Sequence, residues 1–577
     1  MDIEEELKDN INYNYIEVSD KYYNEIIEPF INKNVIAKDK SKILVTKNCE
    51  LIVSNYHVYK DDNDILYNVH LSKVKINKYV YGEFLFYHMQ LLVNDKRKMY
   101  NLITRWGRFG DDGQYQNTPF TDIKEAIKEY NKIFLSKTGN KWEQIKQNKN
   151  LFERKSKKYV LLNLTDKKPE IFNIINYFNL ELKNIFINIS RKNFEKYEKN
   201  INPNTKELIR YLINVSFNQK VGNRDYCDTE GIYSILYFSK ECLDKGFKIL
   251  SELAELNDRS VQLKEERNGL KIDEKNLEDE NSPYNKNIRE FHEISLKILE
   301  LSNSYYEMIP FENKRNYSVT PINKTETIKE ELNRLYSYTY IEDTLKLFLS
   351  SLYYNTKLDP INYIYRALNK KIIPLNLDFY SDNNNDKNIA KVLINYIALT
   401  KEGGTITNIF EIMDENENKL GLNNEKKILL FHGTKTQNIL GILSKGLLIT
   451  PIESKSSGSR FGSGIYLSDS FKKSLSYTSN SNKKYVLMVD TLLDKVYKIN
   501  KNNSFTNVKD LKKKGYNCLI NNSRRHISFE NKVYLNNGII VPTKMIEEEY
   551  NYYYDSDSEY VIYDPKLVNI KYIIEYA

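Results

Sequence analysis

Three side chains that could do chemistry stand at the edges of apolar runs in the last third of the chain. His432 lies at the end of the run 426–433, Tyr466 follows 34 residues later, and Glu559 opens the run 559–564. A carboxylate can hold a nearby positive charge and polarise a hydroxyl group, and an aromatic ring can stack on another planar ring. Each residue alone is more often structural, because a lone carboxylate is normally a surface group and a lone strand histidine is normally core. Only their combination predicts a site.

The segments that must position these residues predict a mostly antiparallel β domain with few helices. Alternating and branched residues predict five strands, at 426–433, 464–469, 484–493, 559–564 and 569–577. Between the first two, the segment TKTQNILGILSKG predicts a helix that stops at Gly446, as a glycine at a helix C-terminus does.

Together these residues resemble the His-Tyr-Glu catalytic motif of the poly(ADP-ribose) polymerase family. The resemblance extends to the segment NILGILSKGL, the loop FGSGIY and the segment KKSLSY at 472–477. It implies an ADP-ribosyltransferase that takes NAD+ as its substrate and needs no metal. The catalytic residues that it implies are Glu559, His432 and Tyr466, and the NAD+ contacts are His432, Gly433, Thr434, Asn438, Tyr466, Ser474 and Tyr477.

The resemblance also implies a role for each residue. His432 binds the ribose hydroxyls of the adenosine side, and Tyr466 and Tyr477 sandwich the nicotinamide ring. The Gly433 backbone and the Ser474 hydroxyl hold the carboxamide. Glu559 binds the 2′-hydroxyl of the nicotinamide ribose and stabilises the positive charge that develops as the glycosidic bond breaks.

One departure from the family pattern bears on the acceptor, beside smaller ones at Ser459 and Arg460. The loop often reads F-G-K-G-I-Y in the family, and here Ser463 stands in place of the lysine. Since that lysine lies near the acceptor, transfer of single units and chain elongation both stay open.

A second motif, Arg105-Trp106-Gly107-Arg108, lies in a small predicted α+β unit. Its strands are predicted at 84–93 and 99–110, and the segment from Thr121 predicts an N-cap and a helix to about Ser136. The unit resembles the WGR domain, which implies DNA contacts by Trp106, Arg108 and Arg105. Residues 62–165 hold 19 Lys and Arg against 11 Asp and Glu, which favours an anionic partner. The alternative is a core tryptophan and a surface ion pair.

Between these units, apolar residues at three- and four-residue spacing predict a helical bundle. The segment LSNSYYEMIP at 301–310 resembles the helical regulatory domain of the same family. This implies a domain that lies over the NAD+ site and restrains it until DNA binds. Helix packing alone also explains the pattern, and the charged stretch 257–287 is expected to be an exposed helix extension or loop.

The predicted fold class is multidomain α+β. It combines a small α+β WGR domain, an all-α helical bundle and a mixed, mostly antiparallel β ADP-ribosyltransferase domain. An N-terminal extension is predicted at 1–61. The three domains are predicted, in the same order, at 62–165, 166–356 and 357–577. The four cysteines are scattered without metal-ligand spacing, and no apolar run reaches the ~20 residues of a membrane span. We therefore expect a reduced intracellular protein without a secretory signal or a membrane partner.

Function and partners follow from the resemblance as expectations. The chain is expected to respond to DNA strand breaks in the nucleus and to modify protein acceptors, itself included. An accessory factor that completes the acceptor site is compatible with this expectation. Two alternatives stay open: a DNA-end-binding scaffold with an inactive catalytic domain, and a mono-ADP-ribosyltransferase that is independent of DNA.

Overall fold

The protein is described here from a computed structural model. No helix among the described residues is both long and apolar enough to cross a membrane. The structure describes residues 56–76, 82–94, 96, 98–109, 111, 113–162, 201–217, 240–270, 279–310, 319–353, 360–368, 370–377, 385–414, 427–449, 461–478, 483–499, 508–535, 538–547 and 557–577. The predicted N-terminal extension, except Tyr56–Asp61, and the apolar segment 171–189 lie outside these ranges.

The first unit is an antiparallel sheet with one long helix against it. The strand order is β5-β4-β3-β2-β6, with β1 paired to β3. Helix α1 begins after Asp122, whose side chain accepts a hydrogen bond from the Lys124 amide, and it ends at Gly139 with a φ of 74°. The elements are β1 His57–Val58, β2 Asn68–Lys75, β3 Glu83–Asn94, β4 Met99–Arg108, β5 Gln114–Phe120, α1 Ile123–Thr138, α2 Trp142–Ile145 and β6 Val160–Leu161. The predicted strands and helix of this unit are confirmed.

The central part of the chain is helical, as predicted. Helix α4 packs along α5, and α6 packs against α4. The helices are α3 Pro203–Phe217, α4 Lys240–Asn268, α5 Pro283–Met308, α6 Thr325–Tyr353 and α7 Pro360–Ala367. The stretch 257–287 differs in part from the expectation of an exposed extension or loop. Helix α4 extends into this stretch and ends at Asn268. Leu263 is buried there, because the apolar side of α4 packs against α5.

The C-terminal part is a split, mostly antiparallel β structure. One sheet has the order β15-β16-β9-β11-β19-β8-β7, and a second has the order β10-β18-β13-β12. Only the pairs β9–β16 and β12–β13 are parallel among the described strands. The strands are β7 Lys370–Pro374, β8 Ile406–Asp414, β9 Lys427–Gly433, β10 Ile465–Leu467, β11 Lys484–Leu492, β12 Val496–Lys498, β13 Cys518–Asn521, β14 Arg525–Ile527, β15 Lys532–Tyr534, β16 Ile540–Pro542, β17 Met545–Glu547, β18 Glu559–Ile562 and β19 Val568–Tyr576.

Short helices connect these strands. They are α8 Asn385–Ala398, α9 Ile439–Lys445, α10 Phe471–Ser476 and α11 Val508–Lys513. Helix α9 ends at Gly446, which adopts a φ of 80° that favours glycine, so the predicted helix end is confirmed. The mixed α+β fold class is likewise confirmed.

One hydrophobic core joins the three parts. It runs from Phe84 and Phe86 of the first sheet through the helices to β9 and β11. Polar contacts accompany it, since Ser72 donates to the backbone oxygen of Glu307 and the Ile76 amide donates to Asn303 on α5. A change at the first sheet can therefore reach the helices through direct contact.

Candidate active site

His432 stands near the end of β9, a buried inner strand of the seven-stranded sheet. Its Nδ1 lies 3.0 Å from the backbone oxygen of Tyr466. Because a carbonyl oxygen only accepts, Nδ1 carries the proton, and Nε2 of the neutral ring is left as an acceptor. Burial lowers the pKa of His432 below its usual value of 6.5, which keeps the ring neutral at pH 7. The geometry presents a fixed acceptor that suits a ligand hydroxyl.

Tyr466 lies on β10 and is held at both ends. Its hydroxyl donates to the Gly462 oxygen at 2.9 Å and accepts from the Phe461 amide at 3.0 Å. Its backbone oxygen is the partner of His432. The ring therefore has one orientation toward the space beside His432.

Glu559 opens β18, the strand next to β10. Its carboxylate oxygen Oε1 accepts a hydrogen bond from the ammonium of Lys473 at 3.0 Å, and both side chains are less than one-fifth exposed. Lys473 also donates to the backbone oxygen of Asp557 at 3.4 Å. Sequence reasoning missed Lys473, although it directly precedes Ser474 in the quoted segment KKSLSY. The pair holds one carboxylate oxygen in place.

Gly433 lies against the turn of chain that carries Ser474. A Cβ built on Gly433 would overlap the backbone oxygen of Ser474, so this position admits only glycine. Ser474 is buried, whereas Tyr477 keeps 39% of its surface exposed. On the other side of His432, the Asn438 amide donates to the Thr434 hydroxyl at 3.2 Å. The close contact between the Gly433 backbone and the Ser474 backbone is thus part of the architecture of the site.

All eight predicted NAD+ and catalytic residues line one cavity of about 230 Å³. We call this set the strand wall: His432, Gly433, Thr434, Asn438, Tyr466, Ser474, Tyr477 and Glu559. The opposite side belongs to α6, which sequence reasoning did not identify as a cavity element. We call its residues the helix wall: Lys329, Leu332, Asn333, Tyr336, Ser337 and Tyr340. The segment 301–310 lies instead at the end of α5 and faces the first sheet.

The helix wall is also connected to α5. Tyr305 donates to Glu331 at 2.9 Å, and Glu331 accepts from Arg334 one turn later on α6. Arg334 in turn donates to the backbone oxygens of Ile309 and Pro310. These groups are buried, so the end of α5 and the start of α6 are tied by charge-assisted hydrogen bonds.

The residues predicted to contact DNA do not share one face. Trp106 is half-buried and stacks on Tyr87, with ring centroids 6.0 Å apart, and Arg108 is exposed. Arg105 is only 9% exposed and lies over the ring of Phe86, because alternate strand residues point to opposite faces and its face is covered by the core. The predicted DNA contact by Arg105 would require this side chain to leave its buried position.

The fold and the site define an NAD+-dependent ADP-ribosyltransferase domain. Residues 384–577 match the model of the poly(ADP-ribose) polymerase catalytic domain. Residues 67–149 match the WGR domain, and residues 200–365 match the poly(ADP-ribose) polymerase regulatory domain. The chain therefore carries the catalytic, regulatory and WGR domains of poly(ADP-ribose) polymerases.

Curated relatives align over most of the chain. The poly(ADP-ribose) polymerase tankyrase of Caenorhabditis elegans is 27% identical over 81% of this chain, which spans only 19% of that protein. Poly(ADP-ribose) polymerase 2 of Arabidopsis thaliana is 24% identical over 91% of this chain and 75% of its own length. Poly(ADP-ribose) polymerase 2 of Homo sapiens is 26% identical over 76% of this chain and 66% of its own length.

Proposed function

We propose that this protein transfers ADP-ribose from NAD+ to proteins, itself included, and that DNA strand breaks stimulate it. The observation that carries the proposal is the convergence of all eight predicted residues on one cavity. These residues come from segments up to 127 positions apart, so the fold alone brings them together. We also propose the division into units at 62–165, 166–356 and 357–577, in which α7 lies just beyond the boundary at 356.

The strand wall accounts for the chemistry of the proposed reaction. The bond between nicotinamide and C1′ of the ribose breaks, and nicotinamide leaves with the electron pair. Glu559 is the carboxylate of this cavity that would bind the 2′-hydroxyl and stabilise the oxocarbenium-like state. The acceptor oxygen then forms the new bond to C1′ and gives up its proton, and a carboxylate can assist that loss. Lys473 keeps Glu559 in position.

Substrate binding falls to the remaining strand-wall residues. Nε2 of His432 is free to accept from a ribose hydroxyl, since Nδ1 is committed to the Tyr466 oxygen. The backbone at Gly433, with the Ser474 hydroxyl, would hold the carboxamide of nicotinamide. Tyr466 and Tyr477 would enclose its ring. Asn438 and Thr434 extend the site toward the adenosine half.

The position of α6 supports regulation by the helical part. Residues of α6 form one side of the cavity, which measures about 230 Å³. Movement of α6 away from the strand wall would widen this space for a dinucleotide. The contacts from the first sheet to α5 and from α5 to α6 provide a direct mechanical connection for that movement.

Trp106 and Arg108 are the proposed DNA contacts. Both lie on the same face of β4, and the ring of Tyr87 stacks against that of Trp106. An indole can cover a sugar or base at a strand end, and a guanidinium can pair with phosphate. Lys137, whose ammonium lies 4.5 Å from the centroid of the Tyr87 ring, adds positive charge beside them. Action in the nucleus, and an accessory factor at the acceptor site, remain part of the proposal.

The test is incubation of the purified protein with labelled NAD+, with and without nicked DNA that carries a 5′-phosphate. Label on the protein should increase with DNA, and Glu559→Gln should lower it by about 100-fold or more. Trp106→Ala should remove the DNA stimulation and keep the residual DNA-free labelling. A high smear on a denaturing gel would indicate that ADP-ribose chains are elongated although Ser463 replaces the lysine. A sharp band would indicate transfer of single units.

Two results would contradict the proposal. Tight DNA binding without NAD+ turnover would favour the DNA-end-binding scaffold. Full labelling without DNA, unchanged in Trp106→Ala, would favour a mono-ADP-ribosyltransferase that is independent of DNA.

A further inference from the structure

One side chain of the helix wall touches the strand wall at the nicotinamide end of the cavity. The ammonium of Lys329, in the second turn of α6, lies 3.3 Å from the hydroxyl oxygen of Tyr477 and 5.1 Å from the centroid of its ring. The two residues are 148 positions apart in the chain. The contact therefore exists only while α6 lies over the cavity.

Tyr477 is one of the two rings that would enclose nicotinamide under the proposed function. In NAD+ this ring carries a positive charge, and the face of a tyrosine ring attracts cations. The ammonium of Lys329 lies at the hydroxyl edge of the Tyr477 ring, where it donates to the Tyr477 hydroxyl oxygen. A second cation stacked on the same ring would also stand within a few ångströms of the first and be repelled by it.

We propose that Lys329 is an intramolecular competitor of the cationic nicotinamide ring of NAD+ at Tyr477. This inference rests on the proposed function. It differs from simple coverage of the site by a helix, because a steric cover excludes neutral and cationic rings alike. A fixed positive charge at this position discriminates against the cationic nicotinamide ring of NAD+ and spares the neutral nicotinamide that leaves.

The other lysines of the cavity are placed differently. Lys473 is paired with Glu559 on the strand wall. Lys435 lies where the charges of Arg334 and Glu330 on α6 act on it, next to Thr434. Lys329 is the lysine, among the residues that the structure describes, with a contact to a ring of the nicotinamide end. Movement of α6 would withdraw this charge and open the cavity in one step.

The test compares two small ligands on the full chain without DNA: neutral nicotinamide and cationic 1-methylnicotinamide. In Lys329→Met, 1-methylnicotinamide should bind about two- to fivefold more tightly, the effect of removing a like charge about 5 Å away in water. The affinity for nicotinamide should change by less than about twofold, and the KM for NAD+ should fall together with the Kd of the cation. Lys329→Arg should restore the discrimination, because it keeps the charge.

Lys324→Met is the matched control, since Lys324 is exposed just before α6 and does not line the cavity. It should leave both affinities unchanged, and unfolding temperatures should show that each variant is folded. Equal tightening of both ligands in Lys329→Met, or no change in either, would overturn the inference and leave the proposed function standing. If no variant bound nicotinamide, the assignment of the cavity to NAD+ would fail first, and this inference would fail with it.

Discussion

The two walls of the cavity are held in different ways. The strand wall is fixed by backbone pairing, with His432 on β9 opposite Leu487 on β11 and Tyr466 on β10 opposite Val561 on β18. Its reactive groups are further held by the His432–Tyr466 and Lys473–Glu559 contacts. No strand has to break for the helix wall to move.

The helix wall is attached through side chains. Tyr340 accepts from the Leu448 amide at 2.9 Å and donates to the Gly446 oxygen at 3.4 Å, and Asp343 pairs with Lys445 at 2.6 Å. These contacts fasten the middle of α6 to α9 and the residues that follow it, whereas the contact of Lys329 with the strand wall is to a partly exposed tyrosine. The difference indicates that the strand wall carries the residues for catalysis, whereas the helix wall controls access to them. Changes in the strand wall should therefore lower activity, and changes in the helix wall should raise it.

The largest effect is expected for Gly433→Ala in the strand wall. The new Cβ would overlap the Ser474 backbone oxygen, and backbone cannot move aside as a flexible side chain can. Nicotinamide binding should weaken by about 100-fold or more, since the approach of the backbone to the carboxamide is lost. Calorimetric titration with nicotinamide measures this loss.

Gly269→Ala provides the control for Gly433→Ala. A Cβ at Gly269 would make only an ordinary contact, 3.5 Å from the Glu266 oxygen. Unfolding temperatures separate loss of the site from loss of the fold. Nicotinamide binding at the wild-type affinity in a folded Gly433→Ala variant would show that the strand wall adapts, and the contrast between the walls would disappear.

The next effect concerns Lys473, a positioning residue of the strand wall. Lys473→Met removes the ammonium that holds the largely buried carboxylate of Glu559. We expect kcat to fall by about tenfold with little change in KM, because an interaction used in the transition state is lost. Lys473→Arg should recover part of the rate. A full kcat in Lys473→Met would show that β18 alone positions Glu559.

The sequence predicted much of this fold because local signals were strong. The apolar run that ends in His432 became β9, and the helix ended at Gly446, where a positive φ is needed. The N-cap predicted in the segment from Thr121 is formed in the structure by Asp122. Such signals act within a few residues, so a single chain displays them.

Long-range pairings could not be predicted in this way. Lys473 and Glu559 are 86 positions apart, and only the folded sheets bring them together. Arg105 also shows that long-range contacts cannot be predicted from local signals. Strand alternation gives its face of the sheet, but not that Phe86 and the helical part cover that face. The helix wall was missed for the same reason, because the apolar residues of α6 predict a buried helix but not which cavity it lines.

A smaller effect, of opposite sign, is expected in the helix wall. Tyr340→Phe removes the hydroxyl that binds the Leu448 amide and the Gly446 oxygen, and so loosens α6 from α9. Loss of such buried hydrogen bonds costs about 1–2 kcal/mol. DNA-free turnover should rise about threefold or more, with little change at saturating DNA. Rates with and without nicked DNA test this, and lower DNA-free turnover in a folded variant would contradict the separation of the walls.

The smallest effect on activity is expected where the first sheet meets α5. Glu307 is buried there beside Arg154, at 2.8 Å, and burial raises its pKa to about 7 from its usual 4.5. The folded protein thus binds a proton that the unfolded chain releases, so this carboxyl makes the protein less stable as pH rises from 4.5 to 7. Glu307→Gln removes this dependence, and its turnover at pH 7 should stay within about twofold of wild type because Gln keeps the shape at the interface.

Unfolding temperatures at pH 5 and pH 8 measure this prediction. The wild type should lose more stability than Glu307→Gln between the two values, by about 2–4 °C, the shift that roughly 1 kcal/mol gives in a domain of 150–250 residues. Arg154→Gln is the informative companion, because it removes the cation that favours the charged carboxylate. It should steepen the loss toward pH 8. Parallel pH profiles for all three proteins would mean that Glu307 keeps its charge at neutral pH, and that the first sheet is joined to α5 by an ion pair instead of a protonated acid.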